Sequence, residues 1–186
     1  GDNGISNGVS RVQHDIGLGM TVGATTVADG AALEIAGFAT TETKLPQPVE
    51  QYANSVAAFS SQFTLSAWAA WRALYEPDTF AYGDIPTAWS ALFPNGVPSF
   101  NPEFLDFRFL TPVYATSIEV RETFINGFVS QIELVDVNDV YHTVFSGPDT
   151  TPQGAPGTLT VTFPITNYLV KGAKVTVNPL TGTGPG

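Results

Sequence analysis

The stretch FLDFRFLTPVYATSIEVRETFINGFVSQIELVDV, which runs from Phe104 to Val137, decides the fold class of this chain. Apolar and polar residues alternate in three parts of it, residues 104–109, 117–124 and 129–137, which is the period of a β-strand with one buried face. Asn126-Gly127 separates two of these runs, and glycine supplies the backbone freedom that a turn needs. The stretch therefore predicts successive antiparallel strands.

Three further alternating runs follow along the chain. They are residues 140–146, 157–164 and 173–178. Pro, Gly or Asn residues separate the runs, and short strands divided in this way are typical of a β-sandwich. Before residue 104 the pattern predicts one short helical turn, near Trp68 and Trp71, and a loop over residues 76–89.

Composition limits the classes of function. Charged residues make up only 13% of the 186 residues, so Ser, Thr, Asn, Gln and Gly must cover much of the surface, as in extracellular β proteins. The net charge of −10 and the lack of a basic stripe argue against nucleic acid. The sequence contains no run of 18 apolar residues, so it predicts no membrane-spanning helix. The chain has no Cys and begins at Gly1, which agrees with removal of a signal peptide and with secretion.

The N-terminal part contains a strand of unusual composition. From Asp15 onward, glycine or threonine alternates with four apolar residues. These are Ile16, Leu18, Met20 and Val22. One face of the strand is apolar and the other is nearly bare, and interior glycine often marks close approach of other backbone. The pattern fits an edge strand of the chain's own sheet and a strand inserted into a neighbouring molecule equally well.

A boundary between this arm and the body is predicted near residue 48. A second arm strand is predicted at residues 31–38, after the turn signal Asp29-Gly30. Leu45-Pro46-Gln47-Pro48 is typical of an extended linker. Residues 1–48 are therefore interpreted as an arm, and residues 49–186 as the body.

The body resembles a known family over roughly 125 residues. The resemblance lies in VAAFSSQF, SAWAAWRAL, EPDTFAYGD and TAWSAL within residues 56–89, in the stretch quoted first, and in YHTVFSGPDTTPQG, LTVTFP and YLVKGAKVTV after it. These segments resemble discoidin-like, or galactose-binding-like, domains of secreted bacterial proteins. The resemblance implies a jelly roll of two antiparallel sheets that binds glycans, lipid or protein on cell surfaces.

The sequence departs from that family after residue 178. In the family a loop and a last strand bearing a Glu and an Asp close the sheet, whereas here Pro179-Leu180-Thr181 leads into Gly-rich residues. A jelly roll without its last strand would expose a long edge, which natural proteins avoid. The arm strand is the candidate to fill that place, in its own subunit or in the next one.

Two sets of residues are candidates for binding. Aromatic residues that could contact a ligand are Trp68, Trp71, Tyr75 and Tyr82. Carboxylates that could hold calcium with backbone oxygens are Glu76, Asp78 and Asp84. Related jelly rolls often carry a structural calcium at such a loop, but solvated or capping carboxylates are the simpler interpretation. Tyr82 and Trp89 are also interpreted as anchors of the core or loops.

Catalytic motifs are lacking. His14 lies in a polar stretch and His142 in a predicted strand, Ser60-Ser61 has no Gly-x-Ser-x-Gly elbow, and Asp136 and Asp139 are typical of a turn. We therefore expect no enzymatic activity. The leading hypothesis is a structural subunit of an extracellular assembly, a surface filament, sheath or virion decoration, whose copies are joined by strand donation from the arm. The alternative is a monomeric secreted module that binds carbohydrate or a cell surface.

Overall fold

The computed structural model describes residues 9–11, 15–22, 49–92 and 102–178, and this part of the chain is almost entirely β. Ten strands and one short 3₁₀ helix make up this described part of the chain. The strands are β1 (Val9–Arg11), β2 (Asp15–Val22), β3 (Val49–Phe59), β4 (Ala88–Trp89), β5 (Glu103–Val113), β6 (Ser117–Glu122), β7 (Val129–Asp136), β8 (Tyr141–Ser146), β9 (Gly157–Thr162) and β10 (Val170–Val177), and the helix is Ala70–Ala73. The predicted all-β sandwich with a strand-forming arm is confirmed.

The strands form two sheets that share β3. The five-stranded sheet has the order β3-β5-β10-β7-β8 and is antiparallel throughout. In the second sheet, which we call the arm sheet, β9 pairs with β6, β6 with β2, and β2 with both β1 and the start of β3. Among the described strands, the contact of β1 with β4 is the one that departs from the predicted antiparallel pattern, because it is parallel. From β5 onward the chain passes repeatedly between the sheets, as in a jelly roll.

The core lies between the inward faces of the two sheets. The alternation in the sequence places Leu105, Phe107, Ile132 and Leu134 inside, and each is almost completely buried. Full burial of such a side chain stabilises the fold by roughly 1.5–3 kcal/mol. Trp89 closes one end of the core, and its indole N–H donates to the carbonyl of Ser61 at 3.0 Å. Trp89 is therefore the core anchor that the sequence predicted.

Local structure differs from the prediction at three places. β3 covers residues for which no strand was predicted, and it is a strand because it pairs with β2 over its first half and with β5 over its second. The helical turn predicted near Trp68 and Trp71 is the 3₁₀ helix Ala70–Ala73. The predicted loop over residues 76–89 ends in the short strand β4. β1 is a short strand before Asp15, where none was predicted. The predicted arm strand at residues 31–38 and the chain after residue 178 lie outside the described residues.

Candidate functional site

The arm strand β2 lies in the interior of the arm sheet. On one edge, residues 16–19 pair with residues 119–122 of β6. On the other edge, residues 19–22 pair with residues 49–52 of β3, and residues 15–16 pair with β1. We call the two flanking segments, 119–122 and 49–52, the arm seat. β2 is thus bonded along both edges and joins β6 and β9 to the rest of the molecule.

The register of β2 assigns partners to its apolar and glycine positions. Leu18 lies opposite Val120 and Ile16 opposite Glu122, and both partners have no exposed surface. Gly17 lies opposite Arg121, and Gly19 lies opposite both Glu119 and Tyr52. The apolar positions of the arm strand are thus paired with buried residues of β6, and its glycines with polar residues of β6 and β3.

A small cavity lies beside the arm seat. Its volume is about 180 Å³, and Tyr52, Pro77, Glu119, Arg121 and Thr158 line it. Burial raises the pKa of the Tyr52 phenol, and the nearby carboxylates of Glu50, Glu76 and Glu119 raise it further. The cavity thus offers a phenol, a guanidinium, a carboxylate and a hydroxyl group.

The core end of the arm seat holds a buried acid, Glu122. Its Oε2 accepts the backbone N–H of Gly127 at 2.7 Å. Burial, and then the neighbouring carboxylate of Asp149, raises the pKa of Glu122 from 4.5 to about 9. Asp149 itself accepts the N–H of Thr151 at 2.9 Å and its hydroxyl at 2.6 Å. A pKa of about 9 keeps the Glu122 carboxyl protonated at neutral pH.

The four predicted ligand-contact aromatics differ in exposure. Trp71 and Tyr75 are 46% and 50% exposed, and the Arg72 guanidinium lies 4.2 Å from the Trp71 ring centre. Trp68 is half-buried and packs edge-on against Phe63, with ring centres 5.4 Å apart. Trp71 and Tyr75 therefore keep accessible ring faces, whereas Trp68 is partly covered.

Tyr82 acts as a loop anchor. Its hydroxyl accepts the N–H of Ile125 at 2.9 Å, and its ring packs edge-on against Phe124 with centres 5.6 Å apart. These two contacts tie the loop before β4 to the turn after β6. The anchor interpretation is confirmed, and the half-buried ring leaves less surface for a ligand than Trp71 or Tyr75 does.

The predicted calcium carboxylates are not gathered into a site. Among the residues that the structure describes, no group of three or more His, Cys, Asp or Glu side chains could hold a metal ion, and Glu76, Asp78 and Asp84 are all in that part. Glu76 and Asp84 are exposed, whereas Asp78 is half-buried. Burial raises the pKa of Asp78, and its carboxylate accepts the hydroxyl of Thr79 at 3.3 Å. The geometry gives no support to calcium at this loop.

The residues weighed for catalysis have structural partners. Asp136 accepts the N–H groups of Asn138 and Val140 at 2.8 and 3.0 Å, so it is the turn former that the sequence predicted. Its other oxygen bonds His142 at 3.1 Å, a contact that lowers the pKa of Asp136. Ser61 donates to Glu103 at 2.8 Å, and Ser60 also bonds this carboxylate. His14 lies outside the described residues.

Sequence reasoning missed a polar network on the outer face of the five-stranded sheet. The hydroxyl of Tyr141 in β8 donates to Asp106 of β5 at 2.6 Å, although β7 and β10 lie between these strands. Neighbouring strands are about 4.8 Å apart, so the face must curve inward for this bond to form. Arg108 bonds the other oxygen of Asp106. No local signal in the sequence marks these residues, because their contacts join distant strands.

Comparison with known proteins gives no family assignment. No protein-family model matches the chain, and no curated protein matches it either. The discoidin-like resemblance therefore stays a prediction from the residues that carry it. Within the part of the chain that the structure describes, no helix is long and apolar enough to cross a membrane.

Proposed function

We propose that this chain is a structural subunit of an extracellular assembly, whose copies are joined by exchange of the arm strand β2. The observation that carries the proposal is the position of β2 between β3 and β6 in the arm sheet. Without β2, β6 would keep only β9 as a partner among the described strands. A strand edge with free N–H and C=O groups recognises an extended segment by main-chain hydrogen bonds.

The connection between β2 and β3 supports exchange between copies. Val22 and Val49 are direct register partners, yet residues 23–48 separate them along the chain. At about 3.3 Å per extended residue, this segment can reach roughly 80 Å. β2 can therefore occupy the arm seat of its own molecule or that of a neighbour with the same contacts. Donation from each copy to the next gives a head-to-tail filament.

Composition supports the proposed location and a non-catalytic role. The low share of charged residues is typical of extracellular β proteins. Ser60 and Ser61 both bond the Glu103 carboxylate, and the described histidine, His142, bonds Asp136 rather than either serine. In this proposal the chain acts by assembly.

A pair of engineered cysteines tests strand exchange, because the natural chain has none. Thr21 and Glu50 are cross-strand partners. Partner Cα atoms are about 4.5–5.5 Å apart, within the range of a disulfide. Oxidised Thr21→Cys/Glu50→Cys is expected to give a ladder of covalent multimers on a denaturing, non-reducing gel. Reduction should collapse the ladder to the single-chain band.

The matched control is Gln131→Cys/Ser146→Cys, which joins partners in β7 and β8. No exchange is proposed for these strands, so oxidation of this variant should give the single-chain band alone. If the Thr21/Glu50 variant also runs as a single chain while its cysteines are fully oxidised, β2 occupies its own subunit and the assembly proposal fails.

A second candidate is a monomeric module that binds carbohydrate, and the cavity beside the arm seat favours it. Its phenol, guanidinium, carboxylate and hydroxyl groups match a polyhydroxylated ligand, which both donates and accepts hydrogen bonds. Glycan-array binding by the monomer, lost in Arg121→Ala but kept in Arg72→Ala at the exposed Trp71, would support this function. Absence of binding to every glycan on the array would eliminate it.

A further inference from the structure

The last strand of the arm sheet, β9, has one edge that no described strand occupies. β9 pairs with β6 over six consecutive positions, from Gly157 opposite Glu122 to Thr162 opposite Ser117, without a bulge. Its other edge has no partner among the residues that the structure describes. The backbone groups along that edge are therefore available for one more strand.

The core is also incomplete along the side where β9 lies. Leu159 and Val161 of β9 pack against the core but are only partly buried, and so are Val144 and Phe145 of β8, the edge strand of the facing sheet. Apolar side chains in the interior strands, such as Val120 and Ile132, have no exposed surface at all. An additional strand beside β9 would remove more apolar surface from water, and that burial favours association.

β9 lacks the features that normally protect an edge strand. Natural proteins protect edges with charged residues, proline, bulges or very short strands. The sequence of β9 is GTLTVT, which contains no charge and no proline over six residues. Thr158, Thr160 and Thr162 form its exposed face. The edge is therefore suited to pairing with another uncharged strand.

We propose that two copies of this chain associate by antiparallel pairing of β9 with β9 of the second copy, about a two-fold axis at Thr160. In this register Thr158 faces Thr162 of the other copy, and Leu159 faces its Val161. Apolar residues then lie opposite apolar residues, and threonines lie opposite threonines. Because β9 carries no charge, no like charges meet at the axis. This contact joins copies side by side and does not depend on exchange of the arm.

A single cysteine at the proposed axis tests the pairing. In Thr160→Cys the two sulfur atoms would meet across the axis, at a separation a disulfide can span. Oxidation is expected to give a covalent dimer that does not grow further, because each chain carries one cysteine. Thr143→Cys on β8, another exposed threonine on an edge strand, is the matched control and should stay largely single-chain. Equal dimer yields from both variants would overturn the proposal.

A charge at the same position gives an independent measurement. Thr160→Lys would place two ammonium groups together at the axis, and we expect self-association in sedimentation velocity to weaken at least tenfold. Thr143→Lys carries the same charge and should associate like the natural chain. Unchanged melting temperatures would show that both variants fold. Unaltered self-association of Thr160→Lys would contradict the inference, whereas loss of the Thr21/Glu50 ladder would contradict arm exchange alone.

Discussion

Glu122 is a residue whose protonation links stability to pH. Its protonated carboxyl is buried beside Asp149, at the strand position that faces Ile16 of the arm. The folded state holds a proton up to pH about 9, whereas an unfolded glutamate loses its proton near pH 4.5. Since the folded chain binds more protons between these values, the contribution of Glu122 to stability is complete below pH 4.5 and is lost as the pH rises toward 9.

We therefore expect the free energy of unfolding to fall between pH 5 and 9, by at most about 1.4 kcal/mol per pH unit from this group. Urea denaturation at several pH values measures it. Glu122→Gln, which does not titrate, should flatten the dependence. Glu133→Gln, on the outer face near Lys174, should leave it in place. A natural chain whose stability is constant over this range would show that Glu122 is ionised in the fold.

Gly172 is a second position where one residue limits the packing. A Cβ atom there would lie 2.1 Å from the backbone carbonyl oxygen of Phe107, which cannot move without disturbing β5. Gly172→Ala should therefore lower the free energy of unfolding by about 1–3 kcal/mol, as overpacking does. Thermal denaturation checks this, with Thr176→Ala on the same strand as the control. A melting temperature of Gly172→Ala equal to that of the control would mean that β5 and β10 can separate slightly.

At the scale of elements, β2 behaves as an interior strand although it belongs to the arm. Gly19 has a partner on each edge, Tyr52 in β3 and Glu119 in β6. Proline at this position would distort the ladder on either side, because it lacks the N–H and its ring constrains the backbone.

Gly19→Pro is accordingly expected to lower the free energy of unfolding by more than the roughly 1 kcal/mol of one hydrogen bond. Gly19→Ala keeps the N–H and is the matched control. Urea denaturation of the two variants measures the difference. Equal stabilities would place β2 outside the sheet in solution.

The sequence predicted strands correctly where apolar and polar residues alternate along the chain. Apolar and polar residues alternate around Phe107, Val120 and Ile132. Each of these runs forms a strand with a buried face. β3 was missed because VEQYANSVAAF alternates poorly and contains alanine and asparagine, which favour strands weakly. Its conformation comes from pairing with both sheets, which no local pattern reveals.

The same limit applies to the site. The anchoring roles of Tyr82 and Trp89 and the turn at Asp136 could be predicted, because residue type and neighbouring sequence determine them. The pairing of Glu122 with Asp149 and the bond between Tyr141 and Asp106 could not, since each joins residues far apart in the chain. The alternating residues of the arm predicted a strand, but the pairing of that strand with β3 and β6 is seen only in the structure.

At the scale of the whole molecule, the long connection between Val22 and Val49 controls whether the arm can leave its own subunit. Replacing residues 23–48 with Asn-Gly would join the two partners through a two-residue hairpin turn. β2 could then pair only within its own chain. We expect this variant to fold and to lose head-to-tail assembly, as measured by light scattering after size exclusion. Filaments that persist without residues 23–48 would rule out exchange of β2.

The placement of β2 also determines how an assembly would respond to force. Antiparallel hydrogen bonds lie perpendicular to the strands, and β2 is bonded on both edges. Tension along a filament would pull β2 along its own axis, so the bonds to β3 and β6 would be loaded together in shear rather than opened one after another. A fibre joined in this way would resist stretching more strongly than the modest energy of each single bond suggests.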